Sequence, residues 1–318
     1  MTMQYVGSKN RLSKELAPLI QSYITDETVA YIEPLVGGAN MIDKIKHHNK
    51  IGSDIHKELI ELLKYTRDNY KNLPETFSEE EYNRVKANRS EYEPWYIGLV
   101  GFCGSFGAKY FGGYARRSNG DDVPAQAIRS LKKQSPNIQC ITFEYKSFQD
   151  YKPLEYSNCV FYLDPPYRNT LSYSTGGFPY EDFYKWCIEL AKNNTVLISE
   201  YEMPAEHFEC IWSKDVKVGI SSQGDIKNKK RVEKLFKVRY EEEKQMIKVY
   251  TKNNCMPCKM TKNWFKGKGH AFTEINVDDN LAGLNELITM NLRTLPVVFK
   301  DGEFVSMGFA PNKWEEFK

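Results

Sequence analysis

Residues 31–36, Tyr-Ile-Glu-Pro-Leu-Val, read as a short strand that runs into Gly37-Gly38 and then into an amphipathic stretch, Met41 to Ile45. Strand, glycine pair, helix is a geometry in which backbone can approach a bound group closely, because glycine has no Cβ to hold it off. A second short apolar segment around Ile51 ends at Asp54, 21 positions after Glu33. An acid at about that distance, at the end of the second strand, is where doubly wound nucleotide-binding folds hold ribose hydroxyls. The turn is not a G-x-G-x-x-G, and it is the spacing of the acid that points to an α/β architecture. The chain has 318 residues, 41% of them hydrophobic and 27% charged, enough for one large domain or two.

The flanking segments extend the pattern. Tyr5-Val6-Gly7-Ser8-Lys9-Asn10-Arg11-Leu12 is a glycine-bearing turn leading into Leu12, Leu16, Leu19 and Tyr23 at helical spacing, with Pro18 expected to kink or interrupt that helix. After Asp54, apolar residues at Ile55, Leu59, Leu62 and Leu63 mark a core-facing helix. Alternation then breaks down over residues 73–137, which hold a charged helix-like stretch, an aromatic and glycine-rich stretch, the loop Arg116-Arg117-Ser118-Asn119-Gly120, and a helical stretch with Arg129, Lys132 and Lys133. We read these residues as an insertion in an alternating domain spanning 1–240. Strand patterns resume at 138–145, 159–163 and 195–199, with a helix at 180–192, and 210–218 and 232–238 read as closing antiparallel strands around a basic run that includes Lys227, Lys229 and Lys230.

The apolar run Val160-Phe161-Tyr162-Leu163 ends in Asp164-Pro165-Pro166-Tyr167, where a buried parallel strand would open into a functional loop. A carboxylate at 164 and the Pro165 carbonyl can each accept one hydrogen of an exocyclic amine. The prolines fix φ, and Tyr167 offers a flat face to a base drawn out of its stack. Turn chemistry explains an Asp and two prolines equally well, so the tetrapeptide alone leaves a capped turn open.

Together, YVGSK, YIEPLVGGANM, the Asp closing the second strand, and FYLDPPY resemble, in the same order, the motifs of DNA adenine methylases that use S-adenosylmethionine, especially the short bacteriophage forms. The resemblance covers residues 3–240. It implies a Rossmann-like S-adenosylmethionine-dependent methyltransferase domain with a target-recognition insertion, acting on N6 of a flipped adenine in double-stranded DNA and needing no metal. Carried over position by position, Tyr5, Gly7 and Lys9 contact the cofactor, and Glu33, Pro34, Gly37 and Gly38 hold its methionine part. Asp54 holds the ribose, Ser147 and Phe148 flank the adenine ring, and Asp164, Pro165, Pro166 and Tyr167 grip the target base. Charge logic agrees, since Glu33 suits an ammonium, Lys9 a carboxylate and Phe148 a purine face. Arg116, Arg117, Asn119, Arg129, Lys133, Lys229 and Lys230 are the candidates for DNA contact. Net charge is only +2, so that contact must use local patches. The insertion is shorter than in longer relatives, whose Asn-Val-Pro element is here Asp122-Val123-Pro124. Two readings from other classes stand beside this one: a front domain that only docks DNA or a partner, and a methyltransferase acting on RNA or on cytosine N4.

Past a charged hinge at 241–245, residues 246–318 change character. Met246 to Tyr250 reads as a strand, 251–254 as a loop, and Cys255-Met256-Pro257-Cys258 opens a helix running to about Phe265. A thiol at a helix N-terminus is pushed toward thiolate, making Cys255 the attacking sulfur and Cys258 the resolving one. KVYTKNNCMPCKMTK, TLPVVF and SMGFAP resemble the glutaredoxin-like redoxins that reduce ribonucleotide reductase. This implies a small thioredoxin-like α/β domain, Pro296 in cis beside the cysteines, and ribonucleotide reductase or a thioredoxin-type reductase as partner. No second Cys/His pair follows to build a zinc ribbon. The other five of seven cysteines are scattered singly, no apolar run is long enough to cross a membrane, and the opening residues lack a secretory h-region, so the chain is expected in the cytoplasm.

Overall fold

The chain, described here by a computed structural model covering residues 3–167, 177–217, 230–240, 246–315 and 317, divides into two units, Met1–Tyr240 and Glu241–Lys318. In the first, α1 (Ser13–Gln21) precedes β1 (Tyr31–Glu33), β2 (Lys50–Asp54) and α2 (Lys57–Asn69). Three helices follow, α3 (Glu79–Ala87), α4 (Pro94–Cys103) and α5 (Val123–Ile138). The chain then forms β3 (Ile141–Tyr145), β4 (Val160–Leu163), α6 (Tyr180–Leu190), β5 (Thr195–Glu200), β6 (Phe208–Lys217) and β7 (Lys230–Val238). The strands make one sheet in the order β3-β2-β1-β4-β5-β7-β6, parallel from β3 to β5, with β7 antiparallel to both its neighbours. The parallel part has the order of a doubly wound nucleotide-binding sheet, which reverses direction between β1 and β4 and opens a crevice beyond their carboxyl ends.

A sheet covered on both faces needs strands that are largely apolar, and β4 is so throughout, while β1 carries Tyr31-Ile32 before Glu33 and β5 carries Val196-Leu197-Ile198 before Ser199 and Glu200. Alternate residues divide between the faces. Tyr31, Val160, Tyr162 and Leu197 join Leu59 and Leu62 of α2 and Leu131 of α5 on one side, while Ile32, Phe161, Leu163, Val196 and Ile198 join Phe183, Cys187 and Leu190 of α6 on the other. The insertion is built of helices rather than loops, and α4 packs on α2 so closely that a Cβ on Gly98 would stand 2.2 Å from the Glu58 carbonyl oxygen.

Several local expectations change. Residues 41–45 form only a 3-10 turn, Ile42–Lys44, because positive φ at Gly37 and Ala39 spends that stretch on a tight loop. Pro18 sits inside α1 without ending it, since Leu16, Ala17 and Ile20 are buried around it. The strand expected from residue 138 starts at Ile141, Ile138 being the buried end of α5. Asp122-Val123-Pro124 is a helix start, with Asp122 Oδ1 accepting from Ala125 N at 2.9 Å and the proline in the first turn, where its missing N–H costs nothing.

The second unit runs β8 (Ile247–Thr251), α7 (Met256–Gly267), β9 (Phe272–Asn276), α8 (Leu281–Thr289), β10 (Val297–Lys300) and β11 (Glu303–Met307). Its sheet order is β11-β10-β8-β9, with β8 parallel to β9 and β10 antiparallel to β8 and β11. Val249 and Val298 face Phe265 and Trp314 on one side, and Tyr250, Val297 and Phe299 face Leu287 on the other. This is the α/β arrangement of a thioredoxin-like fold. No helix among the described residues is long and apolar enough to cross a membrane.

The α2–α4 contact gives a direct test of the packing. Gly98→Ala must push backbone apart and should cost about 1–3 kcal/mol in the denaturant unfolding of the first unit. Gly177→Ala, which meets nothing within 4 Å, should leave that transition in place.

Candidate active sites

The carboxyl ends of β2, β1 and β4 lie side by side, and each delivers an acid. β2 ends at Asp54, β1 at Glu33, and Asp164 follows directly after β4. Glu33 and Asp54 are buried, while the Asp164 side chain keeps 22% of its surface. Burial pushes all three toward the protonated form. For Glu33 the Tyr31 hydroxyl, which donates to Oε1 at 2.7 Å, opposes that push, and the negative fields of Asp43 and Asp164 add to it. For Asp54, raised to about 6, the opposing groups are backbone amides, with Gly37 N donating to Oδ2 at 3.2 Å and His56 N to Oδ1 at 3.0 Å. For Asp164 the chief opposing group is the Lys9 ammonium. Three carboxylates held where charge is costly make a place for a cationic ligand.

The glycine pair is required by what lies on it. At Gly37, where φ is +48°, a Cβ would stand 2.8 Å from Tyr5 Cε1, and at Gly38 one would stand 2.9 Å from Tyr5 Cβ. Tyr5 therefore rests directly on the turn. Pro34 is buried at the turn's start, and Val36 N donates to Ser53 O at 2.8 Å, fastening it to β2. Two residues that sequence reading missed complete the loop. Gln134 of α5 donates to the carbonyls of Gly38 and Ala39, each at 3.1 Å, and accepts from Met3 N at 3.0 Å. Asn40 donates to Met3 O at 3.0 Å, and its Oδ1 is buried with no partner among the described residues. The signal for Gln134 was a polar residue on the same stripe as Ile128, Leu131 and Ile138.

Separate elements brace the Asp-Pro-Pro-Tyr loop. Lys9, which follows Gly7 (φ +76°), is buried, with Nζ 2.8 Å from Asp164 Oδ1, 3.3 Å from Gly7 O and 4.4 Å from the Tyr167 ring centroid. The lysine assigned from sequence to a cofactor carboxylate is thus paired with the acid of the loop. Tyr180 of α6 donates to Pro166 O at 2.6 Å, and Tyr167 donates to Glu233 Oε2 of β7 at 2.7 Å. Pro165 O accepts no hydrogen bond from the described residues, which leaves it available to an amine.

Other assigned residues stand differently. Ser147 caps a 3-10 turn, accepting from Gln149 N and donating its own N–H to Asp150. Phe148 is 4% exposed and packs against Phe178, Phe183 and Trp186, so its ring serves the core rather than presenting an open purine platform. Arg116 pairs with Glu79 and Arg117 with Asp121, whose N–H the Asn119 side chain accepts. Arg129 and Lys133 lie exposed on α5 and make no ion pair with the described residues. Lys229 lies outside the described residues, as does the side chain of Lys230, whose backbone opens β7. No group of three or more His, Cys, Asp or Glu among the described residues is arranged to hold a metal.

In the second unit Cys255 and Cys258 form a disulfide. Cys255 is the N-cap of α7, and the Cys258 amide donates to its sulfur at 3.2 Å, so an unpaired first-turn N–H already points at the expected nucleophile. Cys258 is buried, Cys255 only partly. The Leu295–Pro296 bond is cis, and Pro296 O accepts from Gly308 N at 2.8 Å.

With this geometry in view, residues 5–93 match the family of D12 class N6 adenine-specific DNA methyltransferases, and residues 247–305 match the glutaredoxin family. The glutaredoxin-like protein NrdH of Lactococcus lactis subsp. cremoris is 44% identical over 68 residues, 21% of this chain and 93% of that protein. Its namesake in Salmonella typhimurium is 36% identical over 66 residues, 21% of this chain and 80% of that protein. Among solved structures, the glutaredoxin-like NrdH-redoxin of Escherichia coli aligns with 32% identity and a TM-score of 0.22, covering 23% of this chain and 95% of that one.

Burial of Asp54 makes a prediction of definite sign. Folding raises its affinity for a proton above that of an unfolded aspartate, at 3.8, so ionising it costs stability. The cost begins as pH rises past 3.8 and is complete above about 6, at most about 3 kcal/mol. Carboxyl-carbon NMR should show Asp54 titrating near pH 6, and a midpoint near 4 would contradict its burial.

Proposed function

The second unit places this chain in the glutaredoxin-like NrdH family, and from that membership together with the D12 class match over residues 5–93 we propose a two-activity protein. Its first unit transfers methyl groups from S-adenosylmethionine to N6 of adenine in DNA. Its second exchanges a dithiol for a disulfide. The observation that carries the first reading is the meeting of Glu33, Asp54 and Asp164 at three adjacent parallel strand ends, beside the Gly37-Gly38 turn on which Tyr5 lies.

The residues fit such a cofactor. Gly37 and Gly38 keep backbone close and free of Cβ, Asn40 carries an unpartnered buried oxygen, and the acids suit a ligand with positive charge. S-adenosylmethionine supplies a methyl on a sulfonium, with an ammonium on the same molecule. Glu33 would take the ammonium and Asp54 the ribose hydroxyls, each regaining the stabilisation that burial removes from its charged form. Asp164 and the Pro165 carbonyl hold the two hydrogens of the adenine amine. As that nitrogen gains positive charge, its hydrogen bond to Asp164 strengthens, so the contribution falls on the transition state. The Lys9–Asp164 pair at 2.8 Å supports this, because it already sets a cationic nitrogen against the same carboxylate and over the Tyr167 ring. Arg129 and Lys133 are the cations we assign to the DNA backbone.

In the second unit, Cys255 thiolate attacks a substrate disulfide, forming a mixed disulfide and releasing one thiolate. Cys258 thiolate then attacks the Cys255 sulfur, releasing the second and closing the Cys255–Cys258 bond. A thioredoxin-type reductase would return two electrons, and ribonucleotide reductase is the candidate acceptor. Both activities suit the cytoplasm.

The intact chain should incorporate labelled methyl from S-adenosylmethionine into unmodified duplex DNA, with N6-methyladenine as the product by mass spectrometry. Asp164→Ala should lower kcat by about a hundredfold or more while cofactor binding persists. Undiminished activity in that variant would refute the assignment, and label in cytosine would redirect it. In a disulfide-reduction assay, Cys255→Ser should abolish turnover and Cys258→Ser should trap a mixed disulfide. Turnover surviving in Cys255→Ser would remove the nucleophile.

A further inference from the structure

Strand β7 enters the methyl-transfer site from a direction that the motifs do not mark. Glu233 lies within a stretch of basic residues, and its Oε2 accepts from the Tyr167 hydroxyl at 2.7 Å. Tyr201, just past β5, sets its ring edge-on to Tyr167, with centroids 4.4 Å apart at 81°. Arg231, two residues before Glu233 on the same strand, donates from Nη1 to the Tyr201 hydroxyl at 3.2 Å, with its guanidinium 5.4 Å from the Tyr201 ring centroid. Lys9 stands over the Tyr167 ring. A ring meant to receive a base must hold one tilt, and a tyrosine held only by packing can still swing about its two side-chain torsions. A hydrogen bond at the far end of the ring removes that freedom.

We propose that Glu233 is a positioning residue for methyl transfer, fixing the Tyr167 ring through its phenol, with Tyr201 and Arg231 buttressing the same ring from its edge. The inference rests on the methyltransferase reading of the first unit. It also accounts for the carboxylate itself. A second anion near Asp164 is a cost to the fold, and it is repaid when the adenine nitrogen becomes cationic, because Glu233 adds negative potential to the same spot. Glutamine would keep the acceptor and drop the charge, whereas alanine would lose both.

The test is steady-state methylation of duplex DNA by the full-length chain, comparing Glu233→Gln, Glu233→Ala, Tyr167→Phe and the double variant Glu233→Ala/Tyr167→Phe. Glu233→Ala should lower kcat by about a hundredfold, as expected for a misplaced reacting group, with KM for DNA changed less than about threefold. Glu233→Gln should recover part of that loss, keeping the acceptor without the charge. Tyr167→Phe should lose at least as much as Glu233→Ala, because the phenol also bonds Asp164, and the double variant should fall no further than Tyr167→Phe, since Glu233 acts through that phenol. Wild-type kcat in Glu233→Ala, losses that multiply in the double variant, or a Glu233→Gln no better than alanine would each overturn the proposal. An intact chain that transfers no methyl group would instead remove the parent reading, and this inference with it.

Discussion

A parallel sheet buried on both faces has one consequence that organises the first unit: its strands must all leave the sheet at the same edge. Polar residues are scarce along β1, β4 and β5 and gather toward the carboxyl ends, at Glu33, at Ser199 and Glu200, and at Asp164 just past β4. Glu33, Asp54 and Asp164 come together for that reason and not through any local attraction. Glu33 lies in the negative fields of Asp43 and Asp164, and the fold tolerates the acids because burial keeps their proton affinity high and Lys9 is driven in against Asp164. The site is therefore held out of electrostatic balance by the core itself. A cation entering it is stabilised by charge that folding has already concentrated there.

Much of this was legible in the sequence, for a physical reason. The elements that make the site are short and punctuated, with an apolar run, a glycine pair and an acid in fixed order, and such patterns survive translation into structure because each position has one steric or electrostatic demand. Gly37 and Gly38 are required by the Tyr5 ring, Asp54 by the amides it accepts, and Pro124 by the start of α5. Less legible was the environment of a side chain. Phe148 looked like a purine platform from its place after the third strand, yet three aromatic neighbours claim it for the core. Lys9 looked like a partner for an external carboxylate, and a carboxylate of the chain reached it first. Glu233 was invisible because its partner, Tyr167, lies far off in the chain and no spacing rule connects such a pair, and Gln134 was marked only as a polar residue on an apolar stripe, with nothing to name the Gly38 carbonyl as its partner.

The insertion shows the same limit. Breakdown of the strand and helix alternation at 73–137 was visible in the sequence and uninformative as a structure. Small-residue contacts hold the insertion together: Gly98 seats α4 against the Glu58 carbonyl of α2, and Gly101 meets Tyr110 and Phe111 within the insertion, and composition alone shows neither. Its cations are also fewer than they looked. Arg116 and Arg117 are answered by Glu79 and Asp121 within the insertion, whereas Arg129 and Lys133 project from α5, whose inner face carries Gln134 to the Gly38 carbonyl. One helix thus presents cations outward and grips the glycine turn inward, so the insertion is fastened to the part of the site it would serve.

The two units use backbone electrostatics in opposite senses. In the first, acids gather at strand ends where burial raises their proton affinity against a few amides, the Tyr31 hydroxyl and the Lys9 and Lys44 ammoniums, so positive charge is welcome. In the second, Cys255 caps α7 and the first-turn amide of Cys258 points at its sulfur, so negative charge is welcome there. The proposed methyl transfer, which would build a cation, and the proposed thiol exchange, which would need an anion, make contrary demands on a polypeptide. Neither demand is met by a special residue type, since aspartate, glutamate and cysteine are common. Each is met by where the regular structure stops, with strand ends that leave carboxylates under-solvated and a helix start that leaves N–H groups unsatisfied. Sequence motifs are readable in both units because they mark these terminations, where the identity of a residue matters most.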